Sequence, residues 1–331
     1  MLPVVLFSLF SAAPEVALIS SQGEVAELRF QPLGAEKLVE PVTRFSHGEG
    51  SPVLGSLLPH SRVVVATAAM RARGDLSFAS SLLRLEAGKP ARVLADQVPY
   101  GARPLVTGEG RVFIARGVAG PDSAELIRVD ALSVEEIDPQ TAKSRPVYTV
   151  QGFVTFLAGA LGRELVIYEV IPGRARVIAV HVDTLAVRVV IPSMEGLAHD
   201  FVVDAPRHRL LFTQGTPGVE RWFVEEVDLL SLASKRLAEG PEVTLLPAVL
   251  PDGRVSISRG AGDGLRTLAG ERVVEAHGTG FERLVVQRKG LTVGLHERPG
   301  DLPVPFALEN GAPVSLLAPA ERLLDVAGVT P

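Results

Sequence analysis

Four residues that could do chemistry stand within ten positions of one another: His199, Asp200, Asp204 and His208. Imidazoles and carboxylates bind zinc or a hard cation when they converge. Here the apolar run Phe201-Val202-Val203 separates one pair from the other. At about 3.3 Å per residue in a strand, the two ends lie roughly 10 Å apart. One metal ion does not reach both, and the four read as solvated loop residues at the ends of a short strand, with a turn at Ala205-Pro206-Arg207. His181 reads as a packed or edge histidine. Asp130, Asp183 and Asp228 recur where third strands should end, so they read as turn caps bonded to the backbone, and Asp252 and Asp263 read the same way. The pairs Glu135-Glu136 and Glu225-Glu226 point to opposite sides of a strand and do not act together. No serine lies in a Gly-x-Ser-x-Gly elbow. The glycine-rich stretch 260–264 precedes no helix, which makes it a hairpin turn rather than a phosphate loop. No catalytic or metal-ligating set is assigned, and no cofactor is predicted.

The elements around these residues are short strands. The stretch Thr244 to Glu275 shows the grammar most clearly. Leu245 to Leu250 is an apolar run bounded by turn residues, which suits a buried strand. Pro251-Asp252-Gly253 follows: proline presets φ, aspartate bonds its own backbone and glycine accepts a positive φ. Arg254 to Ser258 alternates, with Val255 and Ile257 on one face. Leu265 to Leu268 and Glu271 to Glu275 complete four strands. Four antiparallel strands make one propeller blade, which needs neighbours to bury both faces.

The same grammar covers the chain. Units run from about Ser51 to Asp96, Val98 to Val150, Gln151 to Ser193, Met194 to Gly240, and Thr279 to Leu317. In the second of these, Glu125 to Val129 reads as the third strand, with its turn after Asp130. A basic residue opens successive second strands at Arg62, Arg111, Arg163, Arg209 and Arg254, spaced roughly 45 residues apart, as blades are. The N-terminal unit has strands at Val16 to Ile19, Val25 to Phe30 and Glu36 to Val39, and lacks its first strand. Ala320 to Val329 is expected to supply it, which removes the sheet edges that template aggregation. A short terminal helix over Glu321 to Val326 is the alternative. The expectation is an all-β chain, a β-propeller of seven four-stranded blades closed by strands from both ends.

Composition narrows the function. The net charge of −5, with no basic run, disfavours nucleic acid as a partner. The absence of cysteine excludes disulfides, thiolate metal sites and cysteine nucleophiles. A single tryptophan, Trp222, argues against propellers built on one tryptophan per blade. Leu2 to Phe10 is apolar apart from Ser8, and Ser11-Ala12-Ala13 offers small residues for cleavage, so residues 1–13 read as a signal peptide and 14–331 as the propeller domain. An ordinary N-terminal strand, and with it a cytoplasmic scaffold, is the alternative. No transmembrane helix is expected in the mature chain.

Arg176 to Ile191, followed by His199 to Gln214 (HDFVVDAPRHRLLFTQ), resembles the repeat of YVTN-type propellers, in which a strand ends at Asp-Thr and a later one passes through a proline turn. Pro251-Asp252-Gly253-Arg254 resembles the turn of TolB-type, WD40-like propellers. Both families are mostly extracytoplasmic, so the resemblance implies a periplasmic or secreted protein. In propellers, ligands meet the mouth of the central channel. The loops leading into first strands place His47, Glu49, Tyr100, His199, Asp200, Glu242, His277 and Glu282 there as candidate ligand-binding residues. The leading expectation is a binding or assembly scaffold for a protein or cell-envelope partner. The alternative is a metal-dependent hydrolase or lactonase, with a cation such as calcium held at the channel mouth by carboxylates from several blades.

Overall fold

The computed structural model describes residues 13–69, 80–119, 127–150, 152, 154–216, 218–241, 245–258, 262–276, 278, 280–288, 290–298 and 300–330. The proposed signal peptide falls almost wholly outside them, as do Glu242 and His277.

Seven four-stranded antiparallel sheets form a ring, a seven-bladed β-propeller. Each blade is named in chain order, and its innermost strand comes first in sequence in blades 2 to 7. Those innermost strands are Val53–Leu57, Leu105–Val106, Val154–Leu161, Leu197–Asp204, Leu246–Val249 and Phe281–Arg288. Blade 1 takes its innermost strand, Arg322–Val329, from the far end of the chain and adds Glu15–Gln22, Val25–Pro32 and Thr43–Ser46. Pairing runs from Val16 opposite Val329 to Ser21 opposite Arg322. Beyond it, the Thr330 amide donates to the Glu15 carbonyl at 2.8 Å and the Glu15 amide to Thr330 Oγ1 at 3.0 Å. Residues 322–326 are therefore strand and not helix: the exposed edge of Glu15–Gln22 supplies the ladder that a terminal helix would leave unmet.

Two local expectations are corrected. Glu36 to Val39 is not a strand, and the outermost strand of blade 1 is Thr43–Ser46. The backbone of 37–39 is held instead by the buried Gln31 amide, which donates to the Lys37 carbonyl at 3.1 Å and accepts from the Val39 amide at 3.0 Å. In blade 3, the third strand runs through Asp130 to Ile137, and the turn comes at Asp138. Its pairing register jumps between Arg128 and Leu132, so the strand outlasts its local pattern.

The turns after third strands repeat closely. Asp138 Oδ1 accepts from the amides of Gln140 and Thr141, and Asp228 Oδ1 from those of Leu230 and Ser231. In blade 4 the equivalent position is His181, whose Nδ1 accepts from the amides of Asp183 and Thr184. Each turn places a non-glycine residue at positive φ four positions on: Ala142, Leu185 and Leu232. So Asp183 is not the cap. It binds Arg111 of blade 3 at 3.2 Å and Arg163 of its own blade at 2.8 Å. Asp252 caps its turn through the Arg254 amide at 2.9 Å, whereas Asp263 takes the Arg266 guanidinium instead.

Apolar clusters fill the junctions between blades, because alternation sends every second side chain of a strand toward each neighbour. Six clusters lie at the junctions of blades 1–2, 2–3, 3–4, 4–5, 5–6 and 7–1. The repeated arginines clasp the rim of several: Arg62 reaches Glu15 of blade 1, Arg111 reaches Asp183 of blade 4, and Arg209 reaches the Gly253 carbonyl of blade 6 at 2.5 Å.

Candidate functional site: the central cavity

The innermost strands surround a central cavity of about 740 Å3 to which all seven blades contribute. Its wall is built by irregularities in those strands. The pairing register slips between Leu157 and Gly159 in blade 4, between His199 and Val202 in blade 5, and between Leu284 and Val286 in blade 7. A bulge leaves a residue unpaired and re-aims it. Ala158, Asp200 with Phe201, and Val285 are the residues so released, and all line the cavity. Asp200 adopts φ 52°, a strained conformation for a non-glycine residue. Phe201 stacks between Tyr168 and Phe212, with ring centroids 4.9 and 5.6 Å away, which fixes this side of the wall.

Polar and apolar surface share the wall about equally, and the charged side chains that line it each have a partner. Arg103 extends from the chain entering blade 3. It donates through Nη1 to the Gly55 carbonyl of blade 2 at 2.6 Å and through Nη2 to Asp325 Oδ1 of blade 1 at 2.6 Å. Asp325 Oδ2 accepts the Gly55 amide at 2.7 Å. This triangle joins three blades, and its carboxylate is only 2% exposed. A buried carboxylate is tolerated because an amide and a guanidinium satisfy it. Gly55 is required there, since a Cβ would lie 2.8 Å from both Ala327 and Ile19. Arg283 pairs with Glu297 of its own blade at 2.8 Å. Asp204 takes Arg209 at 2.8 Å and Arg207 at 3.3 Å. Asp200 Oδ2 lies 2.5 Å from His199 Nδ1, and the His199 ring packs on Trp222.

His199 and Asp200 therefore sit inside an innermost strand, together, while Asp204 and His208 lie at its far end, flanking a 3-10 turn at Ala205–Arg207. Of the candidate ligand-binding residues, Asp200 lines the cavity. Glu282 is fully buried, paired with His296 Nδ1 at 3.2 Å across the first two strands of blade 7. His47 is buried between the outermost strand of blade 1 and the innermost of blade 2, and that burial lowers its pKa. Glu49 and Tyr100 are exposed on the loops entering blades 2 and 3. Among the described residues, no three His, Asp or Glu side chains come together as a metal site. The sequence reading missed Arg103, Arg283 and Asp325. No local signal marks them, because Asp325 meets Gly55 only through ring closure, 270 residues away.

No known family model and no curated protein matches the chain. Solved structures do. TolB from Acinetobacter baumannii superposes with a TM-score of 0.53 at 10% identity, over 97% of this chain and 66% of TolB. The fold is a TolB-like β-propeller. An oligogalacturonate lyase in complex with manganese gives a TM-score of 0.54 at 10% identity, over 80% of this chain and 79% of the lyase. A puromycin-hydrolysing peptidase of Mycobacterium tuberculosis gives 0.51 at 17% identity, over 94% of this chain and 53% of the peptidase. The chain thus spans just under two thirds of that TolB and about half of the peptidase. At these identities the likeness is one of fold, and one fold hosts many chemistries.

Proposed function

We propose that the chain is an extracytoplasmic binding propeller that engages a protein or cell-envelope partner at the mouth of its central cavity. One observation carries this reading: Arg103, Arg283, Asp200 and Asp204, which bring charge to the cavity wall, are each bonded to a group of the ring itself. Such groups hold a shape and offer hydrogen bonds. They are not poised as an activated nucleophile or an open ligand set for a metal. The apolar N-terminal run supports an extracytoplasmic location, and among the described residues no helix is long and apolar enough to cross a membrane. The YVTN-type repeat pattern of 176–214 and the TolB-like fold agree with a protein that displays a face to a partner.

The test is site-specific photo-cross-linking in the producing cell, with the reactive residue at Tyr100 on the exposed loop entering blade 3 and, as a control, at Val93 on the outermost strand of blade 2. A discrete adduct from position 100 that is absent from position 93 supports the reading. Saturable hydrolysis of ester, lactone or peptide substrates by the purified chain, lost in Asp200→Asn, would overturn it.

A further inference from the structure

The ring is not uniform. Of its seven junctions, six hold an apolar cluster, and among the described residues no cluster spans blades 6 and 7. Among the described residues, all four strands of blade 6 are short, of four, four, three and three residues. In its second strand, Val255 and Ile257 join the cluster with blade 5. By alternation, Ser256 and Ser258 face blade 7. Both are 0% exposed, and among the described residues neither hydroxyl has a partner. Across the seam, Leu291, Val293 and Leu295 pack toward blade 1, so Thr292, Gly294 and His296 face blade 6, with the buried Glu282 opposite His296. Among the described residues the repeated arginine does not clasp this rim either. Arg254 bonds Asp252 and Glu271 of its own blade, where Arg209 in the preceding blade crosses to its neighbour. At that rim a groove of about 520 Å3 opens between the blades, lined by Leu250, Arg254 and Arg272 on one side and by Thr292, Leu308 and Asn310 on the other. One backbone hydrogen bond, from the Gly262 amide to the Gly280 carbonyl at 2.8 Å, ties the opposite rim.

We infer that the seam between blades 6 and 7 is where this propeller parts, giving lateral access to the central cavity. The inner edge of the seam is formed by Leu246–Val249 and Phe281–Arg288, and both strands line that cavity. Apolar burial is the main cohesive term between blades, and unpartnered buried hydroxyls oppose closure. Parting here breaks no apolar cluster among the described residues and hydrates both serines. The closure of blade 1 by the two chain ends stays intact, so the ring opens at a seam other than the one that joins its termini. Sub-global opening of this kind exposes one unit while the rest stays protected.

Two measurements test the inference, and neither needs a ligand, so they stand apart from the functional reading above. In native-state hydrogen exchange, amides of Val255–Ser258 and Leu265–Thr267 should exchange at least about tenfold faster than those in the second and third strands of blades 2 to 5. Ser256→Ala/Ser258→Ala removes the orphan hydroxyls without adding volume, and should slow that exchange by about tenfold. Ser256→Val/Ser258→Val tests the same point with apolar contact added. The chain has no cysteine, so Ala248→Cys gives a single thiol in the cavity wall. Its alkylation by a bulky maleimide should slow in step with the serine substitutions. Blade 6 amides as protected as those of blade 3, or a labelling rate indifferent to the serine substitutions, would overturn the inference.

Discussion

Replacing Asp325 by alanine should loosen the ring at three blades at once. The side chain is 2% exposed and accepts from the Gly55 amide at 2.7 Å and from Arg103 at 2.6 Å. A hydrogen bond to a charged acceptor contributes roughly 1.5–3 kcal/mol, and the Gly55 amide loses one. The Arg103 side chain is 38% exposed, so its freed guanidinium hydrates, and the lost ion pair is discounted to about 1 kcal/mol at most. Together the loss is about 2–4 kcal/mol. With an unfolding entropy of roughly 2.1 cal/mol/K per residue, a chain of this length changes by about 0.7 kcal/mol per degree, so Tm should fall by about 3–6 °C. Asp325→Asn retains a carbonyl oxygen for the Gly55 amide and should recover about half of that loss. Thermal unfolding followed by circular dichroism measures both. A Tm for Asp325→Ala within 1 °C of the parent, or an asparagine variant no better than the alanine one, would refute the triangle as a structural tie.

Other outcomes follow from the same contacts. Gly55→Ala should cost roughly 1–3 kcal/mol in chemical denaturation, because its Cβ meets Ala327 and Ile19 at 2.8 Å inside a packed cluster. Burial lowers the pKa of His47 below its unfolded value of 6.5, so its contribution to stability is full above pH 6.5 and is lost as pH falls from 6.5 toward the folded pKa, by at most about 1.4 kcal/mol per pH unit. The Tm drop between pH 7.5 and pH 5.5 should therefore be smaller in His47→Asn. Asp228→Ala should cost about 1 kcal/mol through its turn, as loss of a backbone cap does. His181→Asp should be tolerated, since a carboxylate does the same work in the equivalent turns of blades 3 and 5.

The strands and their order were legible because their signals are local. Alternation at Val255 and Ile257 and the turn at Pro251-Asp252-Gly253 need only neighbouring residues, and the structure keeps both. The closure by Arg322–Val329 was legible because one blade was a strand short. Where a signal was ambiguous, chemistry decided. Asp130 looked like a turn cap, but its strand continues through an irregular register to Asp138. Asp183 has the residue type of a cap, yet the imidazole of His181 holds that position and frees the carboxylate for two arginines. A central channel was expected, but its lining was not legible. Its wall depends on bulges at Ala158, Asp200 and Val285 and on contacts such as Asp325 with Gly55, which exist only once the ring has closed. The repeated arginines were visible as a register mark, but their role as clasps between blades depends on what stands across each junction.

Metal content tests the binding reading most directly. The chain should be purified without chelators or affinity tags and analysed by inductively coupled plasma mass spectrometry. A propeller whose cavity charges are satisfied by its own ring should carry well under one equivalent of calcium, manganese or zinc, and Asp200→Asn should leave that content unchanged. About one tightly held metal per chain, lost with Asp200→Asn, would contradict the account and make the cavity a metal-dependent active site.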